Sequence, residues 1–288
     1  MLSGLFILTA AGCFKMPHEK LLDLSEADQK FLQICREEYK INVVTKSFAQ
    51  TLWVYAPFPH EIISLKASEN EEAAPNEPKL VEKYLINYIN GEFKDKTLSL
   101  DYDINYSKNY TQDYGFSNQY TDEYKTLQRN ILTALSRAYS EAQKPPSFLV
   151  IITADIIRGI RTKMIVYFPD LKRAMTDAAF TEEYTRRAVA EYPRGDPQLL
   201  GNETGENLDF HEITWREFLA KQIIFRVQTK YQLSSFAPNG KPVDEILKIT
   251  AETFQAYNFT DFHSIVLHDL KSDSTVEVNQ SQLINSNN

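Results

Sequence analysis

From Phe148 to Ala154 the chain reads Phe-Leu-Val-Ile-Ile-Thr-Ala, a run with no charge. Successive side chains of a strand point to opposite faces. A run this apolar therefore has no face to give to water, and reads as a central strand covered on both sides. Its flanks agree. Pro145-Pro146 stop whatever helix precedes it. Ile157-Arg158-Gly159-Ile160 makes a turn, after which Thr162, Met164, Val166 and Phe168 face inward while Arg161, Lys163 and Ile165 face the other way. The pair is a hairpin.

Around this strand the chain alternates short elements. Ser25-Glu26-Ala27-Asp28 reads as a helix start with acids in its first turn, and that helix runs to about Lys40. Ile41–Thr45 and Thr51–Ala56 read as strands about a turn at 46–50. Residues 66–79, with Glu69, Glu71, Glu72, Glu77, Pro75 and Pro78, form a mobile acidic loop too polar to pack. A helix over 80–90 closed by Gly91 is expected next. Leu98, Leu100, Tyr102, Ile104 and Tyr106 then alternate with polar residues, the period of a half-buried strand. A long helix beginning near Tyr120 carries Tyr124, Leu127, Ile131, Leu135, Ala138 and Ala142 as its apolar stripe.

Beyond residue 175 the character becomes helical. Thr181-Glu182-Glu183 starts a helix, 193–210 is a loop, and Thr214-Trp215-Arg216-Glu217 is a capping box for a helix to about Tyr231. Asn239-Gly240-Lys241-Pro242 is a turn before a helix over 243–257, and Ser264–Leu270 and Thr275–Val278 make a last strand pair before a polar, disordered tail. The order helix, strand, turn, strand occurs near 26–56, 120–168 and 243–279. The fold class expected is α+β: an antiparallel sheet with packed helices, built from helix-strand-strand units, with a more helical C-terminal part. The expected organisation is an N-terminal segment 1–12, a tether 13–25, an α+β domain 26–175, a mainly helical part 176–280 packed on it, and a tail 281–288.

The N-terminus has a different logic. Met1 to Ala11 is apolar and uncharged, too short to span a bilayer, which takes about 20 residues, but suited to the core of a secretory signal. Where small residues meet a cysteine, Ala10-Ala11-Gly12-Cys13 resembles the lipobox of bacterial lipoproteins, with Ala10 where that family usually has Leu and no Lys or Arg ahead of the apolar run. The resemblance implies cleavage of residues 1–12 as a signal peptide, lipid on the Cys13 sulfur, and attachment to a membrane of the bacterial cell envelope. In two-membrane bacteria an Asp after the cysteine resembles an inner-membrane retention signal; Phe14 stands there, so the outer membrane is expected. Of the two cysteines, Cys35 shares a helix face with Phe31 and Leu32 and reads as a buried structural thiol.

Residues that carry chemistry are sparse. The five histidines show no metal-ligand spacing, and His263 and His268, five apart on one strand, point to opposite faces. Glycine-rich phosphate loops and nucleophile elbows are missing from the sequence. Asp101 and Asp103 share the wet face of their strand and read as a solvated surface. A formal net charge of −8 without a basic stripe argues against nucleic acid. No catalytic set, metal or cofactor is assigned. Tyr110, Tyr114 and Phe116 fall outside the strand alternation, and two readings stay open for them: a lid over a sheet edge, or an aromatic binding surface. The function expected is that of a membrane-anchored, non-enzymatic protein binding another envelope component, protein or polymer. An envelope enzyme with an unrecognised site and a tethered small-ligand binder, its pocket between the sheet and the C-terminal helices, are the alternatives.

Overall fold

The computed structural model describes residues 22–67, 79–111, 116–232 and 241–285. Cys13 and the tether, most of the acidic loop, Tyr114, Asn239-Gly240 and the last three residues lie outside them. In chain order the elements are α1 Leu24–Gln33, a π turn Ile34–Glu38, β1 Val44–Phe48, β2 Thr51–Phe58, β3 Ile63–Ala67, β4 Lys79–Lys94, β5 Thr97–Thr111, β6 Phe116–Tyr120, α2 Asp122–Tyr139, β7 Phe148–Asp155 and β8 Ile160–Tyr167. There follow α3 Phe168–Thr176, α4 Thr181–Arg187, β9 Val189–Gly195, α5 Trp215–Gln232, α6 Pro242–Ala256, β10 Ser264–Asp269, β11 Ser274–Asn279 and α7 Gln280–Asn285.

The fold is α+β. One sheet has the order β1-β2-β7-β8-β9, a second β11-β10-β5-β4, and β3 pairs with β6 as a separate ribbon. Every residue of β7 is buried, and the reason is the expected one: both faces are covered. On one face Leu149 and Ile151 join Leu52, Val54 and Ala56 of β2 beneath α1 and α2, with Phe31, Ile131 and Leu135. On the other, Phe148, Val150 and Ile152 join Trp53, Tyr55, Phe218 and Ile223, and this core continues into Leu98, Leu100, Ile265 and Leu267 of the second sheet. The layers are therefore helix, sheet, helix, sheet. β9 brings the C-terminal part of the chain into the first sheet.

Several expectations are corrected. Neither larger sheet is purely antiparallel: β2 runs parallel to β7 and β10 parallel to β5, because long crossovers separate those strands and permit it. Residues 80–90 are strand, not helix, paired with β5 along the length of β4. A bulge between Ile86 and Tyr88 shifts the register, so the inward residues Tyr84, Ile86, Ile89 and Phe93 carry a mixed spacing that imitates a helical stripe. Gly91 is not a helix cap. It stands opposite Leu100 in the ladder, and a Cβ there would come within 2.1 Å of the Leu100 side chain.

Smaller differences follow the same physics. The cap of α1 is Asp23: its carboxylate accepts the Glu26 N–H at 2.8 Å and Glu26 accepts the Asp23 N–H at 3.0 Å. The stretch 193–210 opens as strand, to Gly195. Thr214 caps α5 by accepting the Glu217 N–H at 3.2 Å, while the Glu217 carboxylate turns to His211, 3.2 Å away. Tyr106 was expected to be buried and is 52% exposed, because β5 runs on past the core. The tail continues as α7, held by Leu283, 3% exposed. No described helix is long and apolar enough to cross a membrane.

Candidate functional site

The two parallel strands β2 and β7 end side by side, and the Ile156 N–H donates to the Phe58 carbonyl at 3.1 Å just past them. Clefts form where parallel strands end and helices begin. Here the helix is α2, and its start is fastened to the segment that follows β2. Thr121 caps it, accepting the Tyr124 N–H at 3.3 Å, while its hydroxyl donates to the Glu61 carbonyl at 2.6 Å and its N–H to the Ile62 carbonyl at 3.1 Å. Pro57 and Pro59 bring β2 to its end. The Asp155 carboxylate, fully buried, accepts the N–H groups of Ile157 and Arg158, each at 3.0 Å, and the Arg158 guanidinium reaches from it to Glu61.

Two walls complete the cleft. The Ile41 N–H closes on the Cys35 carbonyl at 2.8 Å, and Lys40 between them takes a positive φ of 58°. This strained turn directs Tyr39 to Asn42 along the opening. The other wall is the loop carrying Glu203 and Thr204. Asn202 organises it, its side-chain oxygen accepting the Gly205 N–H at 2.8 Å, while the Tyr55 hydroxyl donates to the Asn202 carbonyl at 2.6 Å. Gly205 has a positive φ of 69°, and a Cβ on it would lie 2.9 Å from the Tyr55 ring.

The resulting cleft has a volume of about 890 Å³. Pro57, Phe58, Pro59, Ile156 and Leu127 give it apolar lining; Lys40, Asn42, Asp122, Glu123, Asn130 and Glu203 line it with polar groups. His60 is there too, its ring edge-on to Phe58 with centroids 5.3 Å apart.

A smaller cleft of about 370 Å³ lies at the amino ends of the same two strands, with Asp28, Gln50, Tyr139, Lys144 and Ser147 in its lining. The Tyr139 hydroxyl donates to Asp28 and the Ser147 hydroxyl to Gln50. Here the N-terminal chain enters the fold. The Leu22 N–H donates to the Glu141 carbonyl and the Gln143 N–H to the Leu22 carbonyl, both at 3.0 Å.

Other groups serve the fold. Asp170 accepts from the Tyr257 hydroxyl at 3.1 Å and lies 3.5 Å from the Arg187 guanidinium, which joins α3, α4 and α6. Burial pushes the Asp170 carboxyl up against the pull of Arg187. Cys35 is fully buried, which pushes its thiol up to about 12. His268 lies 3.5 Å from Asp101 and 3.2 Å from Asp273 on the solvent side of the second sheet, and His263 is exposed. Among the described residues no group of three or more His, Cys, Asp or Glu is placed to hold a metal ion.

None of the aromatics singled out in the sequence is among the described residues that line this cleft. Tyr110 pairs through its backbone with Leu80 in β4, and Phe116 with Ala67 in β3, two different strand pairs; Tyr114 lies outside the described residues. The space between the first sheet and the C-terminal helices, expected as a ligand pocket under one alternative, holds packed rings instead: Trp215 lies 5.1 Å from Phe148 and 5.6 Å from Tyr257. Sequence reasoning missed the cleft at the strand ends. The one local signal for it was the Pro57–Pro59 pair that ends β2. Compared with protein-family models, curated proteins and solved structures, the chain matches none.

Proposed function

We propose that this chain is a lipid-anchored, non-enzymatic binding protein of the bacterial envelope, which receives its partner in the cleft between the carboxyl ends of β2 and β7 and the first turns of α2. The observation that carries the reading is that cleft. It is large, its lining combines apolar and polar groups, and its walls are held by backbone hydrogen bonds and a buried carboxylate. Preformed walls lower the ordering cost of binding. The Ala10-Ala11-Gly12-Cys13 run supports the anchor. A second reading, a tethered binder of a small molecule, is favoured by the volume, since ligand pockets span roughly 300–1,000 Å³.

Two experiments test the proposal. Cys13→Ser should release the protein from native membranes or leave its precursor uncut, because two or three acyl chains hold stably where one binds marginally. Mass spectrometry of the mature N-terminus that finds an unmodified Cys13 refutes the anchor. A photo-cross-linker at Asn130, in the cleft, should trap a partner in the native host, and Thr126→Trp, which fills the cleft from the exposed face of α2, should abolish that adduct. An adduct of protein mass supports the first reading and one of small mass the second. An adduct unchanged by Thr126→Trp refutes the cleft as the binding site.

A further inference from the structure

We infer that the occupant of this cleft is a basic segment of a partner protein, one or two Lys or Arg side chains flanked by apolar residues; the inference rests on the binding reading above. The charges that line the cleft are unbalanced. Three carboxylates, Asp122, Glu123 and Glu203, stand against one ammonium, Lys40. Asp122 has a partner in Lys125, 3.1 Å away at the surface. Glu123 and Glu203 have no ion pair with another described residue.

Asp122 and Glu123 have an ordinary explanation, since acids in a first turn complement the helix dipole. Glu203 does not. It belongs to a separate loop and is presented there by the turn that Asn202 closes. A fold that brings an acid from an unrelated loop to the mouth of a helix already carrying two acids accumulates like charge. A cation in the cleft offsets that repulsion.

The rest of the lining selects the flanks. Pro57, Phe58, Pro59, Ile156 and Leu127 offer apolar contact to a side chain or to the methylenes of a Lys or Arg stem. The amides of Asn42 and Asn130 offer donors and acceptors suited to a peptide backbone. The chain's net charge of −8 adds long-range attraction for a basic partner and speeds encounter at low salt.

The test uses the full-length chain in nanodiscs of zwitterionic lipid, with empty discs as the blank. Three probes are compared: a fluorescent Leu-Arg-Leu-Arg-Pro-Leu peptide, the same peptide with Glu in place of Arg, and the small polyamine spermidine. The basic peptide should bind saturably, lose at least tenfold in affinity in Glu123→Gln/Glu203→Gln, and weaken as salt is raised, while the acidic peptide stays unbound. Both substituted residues are exposed, so an unchanged melting temperature should accompany the loss. Equal binding of the two peptides, or an affinity unmoved in the double variant, overturns the inference; so does binding of spermidine without binding of the basic peptide. If the Asn130 adduct vanishes in Thr126→Trp while the double variant still holds the basic peptide, the cleft stands and its preference for cations falls. If the adduct survives Thr126→Trp, the cleft reading itself has failed.

Discussion

Lys163 shows how a single residue can strain against its place. It stands on β8 with a side chain only 12% exposed, its nearest carboxylate is Glu191 at 3.9 Å, and its ammonium lies 5.0 Å from the centre of the Trp53 ring. Burial pulls its pKa below the ordinary lysine value, with Glu191 opposing. The folded state therefore binds this proton less tightly than the unfolded chain does. Between the lowered folded pKa and the unfolded value near 10.5 the protein gains stability as pH rises. Lys163→Met should remove the cost of the buried charge and stabilise the protein at neutral pH by about 1 kcal/mol. The gain should shrink towards pH 10, where the wild-type amine sheds its proton. Melting curves of both proteins from pH 6 to pH 10 measure it; a constant difference across that range contradicts the account. The sequence placed Lys163 on the face opposite Met164. It could not show that this face also meets a helix layer, because Glu217 and Lys221 of α5, which act on Lys163, come from a distant part of the chain.

At the scale of elements, what was legible was local. The unbroken apolar run became β7, the alternation Leu98 to Ile104 became the buried face of β5, and the stripe Leu127, Ile131, Leu135 became the inner face of α2. Each signal is a period within one segment, and periodicity survives without knowledge of neighbours. The failures have the opposite character. The bulge in β4 erased the two-residue period, and α7 is a six-residue helix with only Leu283 and Ile284 apolar, too short for a stripe to show. Ile151 measures how much β7 matters. It is 1% exposed and packed beneath α2, so Ile151→Ala should cost about 2–5 kcal/mol, the range for truncating a packed side chain. Chemical denaturation gives the value, and a loss below about 1 kcal/mol would mean that the layer over β7 is loosely packed.

At the scale of the molecule, the repeated helix-strand-strand order near 26–56, 120–168 and 243–279 was visible, but the parallel pairing of β2 with β7 was not. That pairing creates the cleft. It gathers residues 39–42, 57–60, 122–130, 156 and 203–204, five stretches of ordinary residue types with no shared motif. The lining residues of the cleft are not neighbours in the chain, so no local pattern in the sequence marks them.

The docking of Leu22 beside Glu141 and Gln143 places the entry of the N-terminal chain at one end of α2 and the cleft at the other. The helix has 18 residues, which at 1.5 Å each make about 27 Å. If lipid holds Cys13, the eight residues 14–21 reach roughly 28 Å when fully extended. The cleft then sweeps a shallow layer no deeper than about 55 Å above the bilayer, at the end of α2 away from the tether. In proteoliposomes, a fluorophore on His60→Cys should escape a quencher in the bilayer better than one on Lys144→Cys, and the reverse order would overturn this orientation. A protein held this way trades a search through volume for a search through a thin slab, and the slab's height decides which partners it can meet: those that stand within reach of the same membrane, or a second surface facing it across a gap of that size.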